Sequence, residues 1–147
     1  MKAVIQRVEK AEVTIQNDVV GKIGAGLLVF LGIENGDNEE NAIRLIKRII
    51  HLRIFSDQYK ESNISVMDQK GEILIVSQFT LCANMDKGHR PSYIGAASPD
   101  QAEKLYKFFC LKLKDLSGLN IQEGRFGAMM KVALINNGPA TFILNES

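Results

Sequence analysis

The chain has few of the residues from which metal and disulfide sites are built. Its 147 residues include two cysteines, two histidines, three prolines and no tryptophan. Cys82 and Cys110 form no C-x-x-C pair, so the sequence predicts neither a disulfide framework nor a zinc knuckle. Two histidines are too few for a three-histidine metal site, and neither lies in an H-E-x-x-H context. We therefore expect reduced thiols, no metal and no cofactor.

The chain also lacks a charge excess and a long apolar run. Its 18 Lys and Arg nearly balance 17 Asp and Glu, which excludes a strongly basic wrapper of nucleic acid and allows only a local basic surface. The longest nearly uncharged run, residues 24–33, is about half of the ~20 residues that a membrane-spanning helix needs. Charged residues interrupt the opening segment where a signal peptide would be apolar. We expect a cytoplasmic protein with no membrane contact.

Apolar patterns predict a sheet that is mostly antiparallel. They place strands at residues 3–8, 13–16, 27–31, 72–78, 128–135 and 140–144. The first third reads as a β-meander, with a hairpin turn at Asn17-Asp18 and hairpin glycines between Gly21 and Gly26. Residues 27–31 are apolar without interruption, so that strand should be central and covered on both faces. Asn136 to Pro139 would be the turn of a closing hairpin.

Two helices have clear start signals. Asp37 can cap the first, which should end near Leu52, and Ser98 and Gln101 have the spacing of a capping box at the second. The apolar stripe of the first helix comprises Ala42, Ile43, Ile46, Ile49 and Ile50. That of the second, which Ser117-Gly118 ends, comprises Ala102, Leu105, Tyr106, Phe109, Leu113 and Leu116. We predict one α/β domain over residues 1–147, with a mixed, barrel-like β layer and two main helices packed on it.

The familiar catalytic motifs are missing. The chain contains no G-x-x-x-x-G-K-[ST] loop and no G-x-S-x-G elbow. His51 closes the first helix, where a structural role is favoured. Lys87, His89 and Arg90 share a polar loop, for which phosphate contact and simple solvation are equally good interpretations. Residues 87–131 carry a net charge of +4, enough to hold a few phosphates of an RNA end, although a solvated helix face explains most of the lysines.

Two short segments break the local pattern. The segment SQFTL places the hydroxyls of Ser77 and Thr80 at the end of an apolar strand, where backbone amides and hydroxyls suit an ester carbonyl that becomes negative during attack. The alternative is that both residues merely cap the strand. The second segment contains Gly138-Pro139, which would ordinarily form a tight turn, and such a bond can be cis.

Several ordered blocks resemble one family. SQFTL at 77–81, KGHRPS at 87–92, GRFGAMM at 124–130 and NGPATF at 137–142 resemble the signature blocks of the D-aminoacyl-tRNA deacylases, also called D-tyrosyl-tRNA deacylases. The segments MKAVIQRV, GLLVFLGI and LRIFSD are similar to the same family, so the likeness covers essentially the whole chain.

The resemblance implies a homodimer that hydrolyses the ester joining a D-amino acid, or glycine, to the 3′-terminal adenosine of tRNA. Its pocket floor, which holds the ester, would be formed by Ser77, Gln78, Phe79 and Thr80. In this family a cis Gly-Pro from the partner subunit excludes L-amino acids by main-chain collision, and Gly138-Pro139 matches it.

The same resemblance implies residues for the tRNA end. Phe126 and Met130 match positions near the terminal adenine, and Lys87 and Arg90 are candidates for contact with the tRNA phosphates.

The mechanism and the function each leave an alternative. Thr80 as nucleophile would need an adjacent base, and His89 is the only nearby candidate. The resemblance instead favours water assisted by the 2′-hydroxyl of the terminal ribose, with orientation and an oxyanion site supplied by the protein. A non-catalytic module that binds the tRNA 3′ end is a rival, as is a related branch that removes L-alanine from the wrong tRNA. Phe79 argues for the D-specific branch.

Overall fold

The computed structural model describes all residues from 1 to 147. Its strands are β1 (Lys2–Ile15), β2 (Asp18–Ile23), β3 (Gly26–Gly32), β4 (Glu72–Ser77), β5 (Ile121–Glu123) and β6 (Lys131–Asn145). Its helices are α1 (Glu39–Ile50), α2 (Val66–Gln69) and α3 (Pro99–Ser117), and a 3-10 turn covers Phe79–Cys82. None of the helices combines the length and the apolar character that crossing a membrane requires.

Strand β1 organises the sheet because it pairs along both of its edges. Residues 2–8 pair with β3 and residues 11–15 with β2 on one edge, while β6 pairs along the other edge, all antiparallel. Strands β4 and β5 extend the sheet beyond β3 in parallel. The backbone of Gly21 in β2 approaches the Glu123 carbonyl of β5, so the sheet curls towards a barrel. The predicted mixed, barrel-like α/β domain is confirmed.

The predicted meander and its glycine hairpin are wrong. Strands β2 and β3 pair with consecutive stretches of β1 and run in the same direction, so residues 24 and 25 form a bend between collinear strands. The strands predicted at 3–8 and 13–16 are parts of the single strand β1, which is long enough to pair with both. The hairpin after β1 is confirmed, with its turn at Gln16-Asn17.

The predicted closing hairpin is also wrong. The two arms belong to one strand, β6, and both pair with β1 and not with each other. Val8 faces Asn136 and Gln6 faces Thr141, so residues 137–140 lie opposite Arg7 alone and loop out of the ladder as a bulge, here called the Gly-Pro bulge. The peptide bond between Gly138 and Pro139 is cis. The turn-forming residues therefore interrupt β6 and do not reverse the chain, because β1 pairs with both halves of β6.

Apolar side chains cover both faces of the sheet. The larger layer, between the sheet and the helices α1 and α3, includes Ile5, Val29, Leu45, Ile73 and Phe109. The smaller layer, on the concave face, consists of Val8, Ala11, Val13, Ile23, Leu28, Leu74 and Val76. Strand β3 contributes to both layers, which confirms that the apolar run at 27–31 is central and covered on both faces.

Helix α1 begins one residue later than predicted. Its N-cap is Asn38, whose side chain accepts hydrogen bonds from the amides of Glu40 and Asn41. Asp37 is buried and instead binds the ammonium group of Met1, with 2.7 Å between carboxylate oxygen and nitrogen. The ammonium group of Met1, the residue before β1, thus draws the Asp37 carboxylate away from the helix. The helix ends at Ile50, with His51 as its C-cap.

Helix α3 follows its predicted boundaries but not its predicted cap. Pro99 opens the helix and Gly118 ends it in the left-handed conformation. The Ser98 side chain makes no capping hydrogen bond, and the Gln101 side chain donates to the Asp37 carbonyl at 3.4 Å instead of to the Ser98 amide. The stripe is buried as predicted up to Leu113, but the side chain of Leu116 is 43% exposed.

We predict that Gly26→Ala destabilises the fold by about 2–3 kcal/mol, because overpacking a backbone contact forces the strands apart. A Cβ at Gly26 would lie 1.9 Å from the Glu72 carbonyl oxygen. Gly95→Ala is the control, since its Cβ would meet only the Cys82 carbonyl oxygen, at 3.5 Å. Urea denaturation measures both variants, and equal midpoints for the two would contradict the prediction.

Candidate functional site

The segment from Ser77 to Thr80, here called the strand-end site, lies where β4 stops. Ser77 ends β4 opposite Leu31 of β3, and the Gln78 amide donates to the Leu31 carbonyl at 2.8 Å. The first bond of the 3-10 turn runs from the Leu81 amide to the Gln78 carbonyl at 3.2 Å. The amides of Phe79 and Thr80 precede that bond and have no acceptor within the turn. The strand end therefore presents two amides and two hydroxyls.

Glycine at position 32 lets the strand-end site sit close against β3. A Cβ there would lie 2.9 Å from the Leu81 Cβ and 3.1 Å from the Gln78 carbonyl oxygen. Beneath the turn, the Cys82 thiol is buried and donates to the Ile33 carbonyl at 3.4 Å. The turn is thus anchored from below, and its exposed side is free to meet a ligand.

The Thr80 hydroxyl has a partner that limits its chemistry. It accepts a hydrogen bond from the side-chain amide of Gln78, and neither histidine is bonded to it. A hydroxyl has one proton and two lone pairs, so the proton of Thr80 stays available for donation. A threonine nucleophile needs a base at that proton, and the one side-chain partner of the Thr80 hydroxyl is the Gln78 amide, which is a donor.

The basic loop, for which phosphate contact and simple solvation were equally good interpretations, starts directly beyond this turn. Paired backbone bonds of 2.8 and 2.9 Å between Asn84 and Ser92 close it, and Lys87 and Arg90 lie exposed at its tip. At its base the Tyr93 ring lies 5.0 Å from the Phe79 ring, measured between centroids. The fold therefore brings the loop and the strand-end site together.

Phe126 and Met130 lie beside the same strand. The Gly124 amide donates to the Ile75 carbonyl at 2.9 Å, so the segment from 124 to 130 runs along the end of β4. Phe126 packs on Tyr106, with 5.7 Å between ring centroids, and is half-buried. Met130 is half-buried against the smaller apolar layer. Both residues thus belong to the segment that follows the bond between Gly124 and Ile75, two residues before Ser77, and each has part of its surface against the core.

Arg7 holds the Gly-Pro bulge in place and was missed from the sequence. Its Nε donates to the Asn137 carbonyl at 2.8 Å, and its Nη1 donates to the Ile54 carbonyl. The Asn136 side chain in turn donates to the Arg7 carbonyl at 3.0 Å. A charged residue two positions after Ile5 and four after Ala3, on a strand face that is otherwise apolar, is the signal that could have identified it.

One chain does not bring the bulge and the strand-end site together. The bulge adjoins Gln6 and Val8 of β1, whereas Ser77 pairs with Leu31, which pairs with Ala3. The two regions are separated by three strand spacings and several residues along the strands, or roughly 20 Å. Within one chain, the bulge and the strand-end site are therefore separate regions.

Ionisable groups add no reactive nucleophile to this region. Burial raises the pKa of the Cys82 thiol, and burial likewise raises the pKa of Cys110 in α3. Both cysteines are free and buried, so neither is a thiolate near neutral pH. No three His, Cys, Asp or Glu side chains converge into a cluster that could hold a metal ion.

Comparison with known proteins gives a consistent family likeness. A family model described as D-Tyr-tRNA(Tyr) deacylase matches residues 4–145. A D-aminoacyl-tRNA deacylase of Idiomarina loihiensis is 50% identical over 144 residues, which cover 98% of this chain and 99% of that protein. A D-aminoacyl-tRNA deacylase of Halothermothrix orenii is 50% identical over 147 residues, covering 100% of this chain and 98% of that protein.

Solved structures share the fold. One described as c-Myc DNA Unwinding Element Binding Protein superposes with a TM-score of 0.94 at 40% identity, covering 99% of this chain and 98% of that one. A probable eukaryotic D-amino acid tRNA deacylase superposes with a TM-score of 0.85 at 16% identity, covering 97% of each chain. The second likeness shows the fold alone.

We predict that neither thiol of the folded protein reacts with a small thiol reagent at pH 8, because buried neutral thiols are poor nucleophiles. Both should react once guanidinium unfolds the chain. Unfolded thiols lose protons near pH 8.5 while folded ones keep them, so the free energy of unfolding should fall as the pH rises above that value. Rapid labelling of either cysteine in the folded protein would contradict this assignment.

Proposed function

The chain belongs to the D-Tyr-tRNA(Tyr) deacylase family, and from this premise we propose that it hydrolyses the ester bond of D-aminoacyl-tRNA, releasing the free D-amino acid and tRNA. Membership makes it an enzyme of the hydrolase class, a D-aminoacyl-tRNA deacylase. The observation that carries the proposed chemistry is the strand-end site, where the unbonded amides of Phe79 and Thr80 lie beside the hydroxyls of Ser77 and Thr80 at an exposed turn.

The strand-end site suits the charge that develops during ester hydrolysis. When water attacks the ester carbonyl carbon, the carbonyl oxygen becomes negative, and fixed N–H groups stabilise it without reorganising. The Phe79 and Thr80 amides supply such donors, and the free proton of the Thr80 hydroxyl supplies another. Gln78 orients that hydroxyl through its side-chain amide. Catalysis then comes from orientation and charge stabilisation.

The attacking water is activated by the substrate in this proposal. The 2′-hydroxyl of the terminal ribose takes a proton from the water as the new carbon–oxygen bond forms. It passes a proton to the departing 3′-oxygen as the ester bond breaks, so the products are the amino acid and a tRNA with a free 3′-hydroxyl. No side-chain base bonds to Thr80, which is consistent with this route.

Chirality is selected by a second copy of the chain. Gly138 and Pro139 of one subunit reach the strand-end site of its partner in a homodimer, where their main chain collides with an L-side chain. Support comes from the distance of roughly 20 Å that separates the two parts within one chain. Arg7 stiffens the bulge from the inside of its own subunit. Glycine has no side chain to reject, so glycyl-tRNA is also a substrate.

The terminal adenosine and its phosphates meet the residues around the strand-end site. We assign Lys87 and Arg90 to the phosphates, since both are exposed on the loop tied to Phe79 by Tyr93. Phe126 and Met130 are assigned to the adenine because they border the end of β4. A tRNA substrate also supports a cytoplasmic location.

The decisive assay compares the two enantiomers. We predict that the protein releases tyrosine from D-tyrosyl-tRNA and leaves L-tyrosyl-tRNA intact, because the bulge obstructs only the L-side chain. Release of labelled amino acid over time measures both reactions. Release from neither would support the binding module, equal release would defeat the chirality argument, and cleavage of L-alanyl-tRNA alone would indicate the related branch.

Thr80 should assist turnover without being essential. We predict that Thr80→Ala lowers kcat about 10-fold, the cost of one lost hydrogen bond to a charged oxygen. Wild-type protein should cleave a tRNA ending in 2′-deoxyadenosine far more slowly than the ribose form. Loss of all turnover in Thr80→Ala, with tRNA binding intact, would instead establish a threonine nucleophile.

Arg7 should act on selectivity as well as on rate. We predict that Arg7→Lys lowers kcat/KM for D-tyrosyl-tRNA about 10-fold and increases cleavage of L-tyrosyl-tRNA, because lysine cannot bridge the Asn137 and Ile54 carbonyls. Arg53→Lys is the control, since Arg53 bonds only to Asn63 in a surface loop. If both variants kept the wild-type ratio of D- to L-cleavage, Arg7 would not position the bulge.

A further inference from the structure

A groove of about 200 Å³ runs over the outer side of the sheet, where β1 lies between β2 and β6. It is lined by Lys10, Ala11, Glu12, Lys22, Ala133, Leu134 and Ile135. None of these residues belongs to the strand-end site, the basic loop or the Gly-Pro bulge. The groove therefore lies outside the residues to which the proposed function assigns a role.

Cross-strand pairing sets the positions of the charges in this groove. Glu12 lies between Lys22 of β2 and Ala133 of β6, and the Lys22 ammonium is 4.0 Å from the Glu12 carboxylate. Lys10 lies opposite Ile135 and forms no ion pair. Together with Lys131 of β6, Lys10 and Lys22 surround the Glu12 carboxylate.

Lys131 lies on the groove side of β6, because side chains along a strand alternate between the two faces of the sheet. It pairs with Thr14 and lies two residues from Ala133, on the same face of the strand. Like Lys10 it is exposed and makes no ion pair. Glu9 is exposed at a bulge of β1 and does not line the groove. Lys10 and Lys131 thus have free ammonium groups facing solvent, whereas that of Lys22 is paired with Glu12.

The groove begins where the Gly-Pro bulge ends. Ile135 is three residues before Gly138, and Lys10 is two residues beyond Val8, which borders the bulge. At the rise per residue of a β-strand, the near end of the groove is roughly 10 Å from the bulge. In the proposed homodimer the bulge lies at the partner's strand-end site, so the lysines of one subunit flank the ester held by the other.

We propose that Lys10, Lys22 and Lys131 bind the phosphates of the tRNA whose 3′ end occupies the partner subunit's strand-end site. The inference rests on the proposed function and deepens it, because it divides the tRNA between two subunits. One subunit holds the ester, and the other holds the phosphates that precede it.

Lysine chemistry favours RNA over a protein partner for this surface. Lysine is depleted in the cores of protein interfaces, whereas a flexible ammonium group binds a phosphate as a point charge. The neighbouring Ala133 and Ile135 are too small an apolar surface to bury against a stable protein partner.

The test compares a groove variant with a charge-matched control. Lys10→Gln/Lys131→Gln removes two free cations, and Lys47→Gln/Lys60→Gln removes two exposed lysines, also without ion pairs, outside the groove. With D-tyrosyl-tRNA, the groove variant should show a KM raised about 5- to 20-fold. The log–log salt dependence of its kcat/KM should become shallower by about one to two units. The control should match wild type.

A second substrate separates lost phosphate contacts from damage to the fold. The ester 3′-O-D-tyrosyl-adenosine has no phosphate, so wild type, groove variant and control should cleave it at equal rates. If the groove variant has the same KM for D-tyrosyl-tRNA as the control, the groove does not bind phosphates. The same conclusion follows if the variant loses as much activity on the adenosine ester as on the tRNA. If wild-type protein cleaves neither substrate, the proposed function itself fails.

Mixed dimers test which subunit supplies the lysines. A heterodimer of the groove variant and Thr80→Ala contains one site with both an intact Thr80 and intact partner lysines. Most turnover of the heterodimer should come from that site, and its KM for D-tyrosyl-tRNA should equal that of the wild type. A KM as high as that of the groove homodimer would place the lysines in the same subunit as the ester and overturn the proposal.

Discussion

The double pairing of β1 is the constraint on which the rest of the structure depends. On one edge it fixes β3, and through β3 the end of β4 where the strand-end site begins. On the other edge it fixes β6 and with it the Gly-Pro bulge. Every backbone group of a buried strand needs a partner, so neither neighbour can shift without unpairing β1. The strand-end site and the Gly-Pro bulge are therefore set at a constant separation by one strand.

The proposed chemistry agrees with the scarcity of reactive side chains. The two cysteines are buried within the fold, and neither imidazole is bonded to Thr80. What the strand end offers is backbone amides whose directions are set by β4 and by a turn resting on Gly32. Such donors cannot be lost by titration. An ester whose own ribose assists water needs little more, since fixed dipoles provide most of the stabilisation that such a reaction requires.

Local patterns in the sequence were enough to predict the elements whose surroundings are simple. The uninterrupted apolar run of β3, the stripe of α3 up to Leu113 and the stop at Gly118 all depend on near neighbours and were confirmed. Asn136 to Pro139 were misread because whether a turn sequence makes a hairpin or a bulge depends on a strand more than a hundred residues away. Asp37 was misread for a similar reason.

The residues of the candidate site also fall into those that near neighbours in the sequence predict and those that depend on distant segments. Ser77 to Thr80 follow a strand in the sequence and in the structure, so their clustering was predictable. The strand pattern could have marked Arg7 as unusual, but its partner could not be read from the sequence, and neither could that of Gly32, because each residue contacts a segment distant in sequence. The Gly-Pro bulge also separates two strand halves whose register β1 fixes independently. Residues within it can be exchanged, added or removed with no shift of the sheet. Under the selective role proposed for the bulge, substrate selection can therefore evolve, or be engineered, apart from the strand-end site.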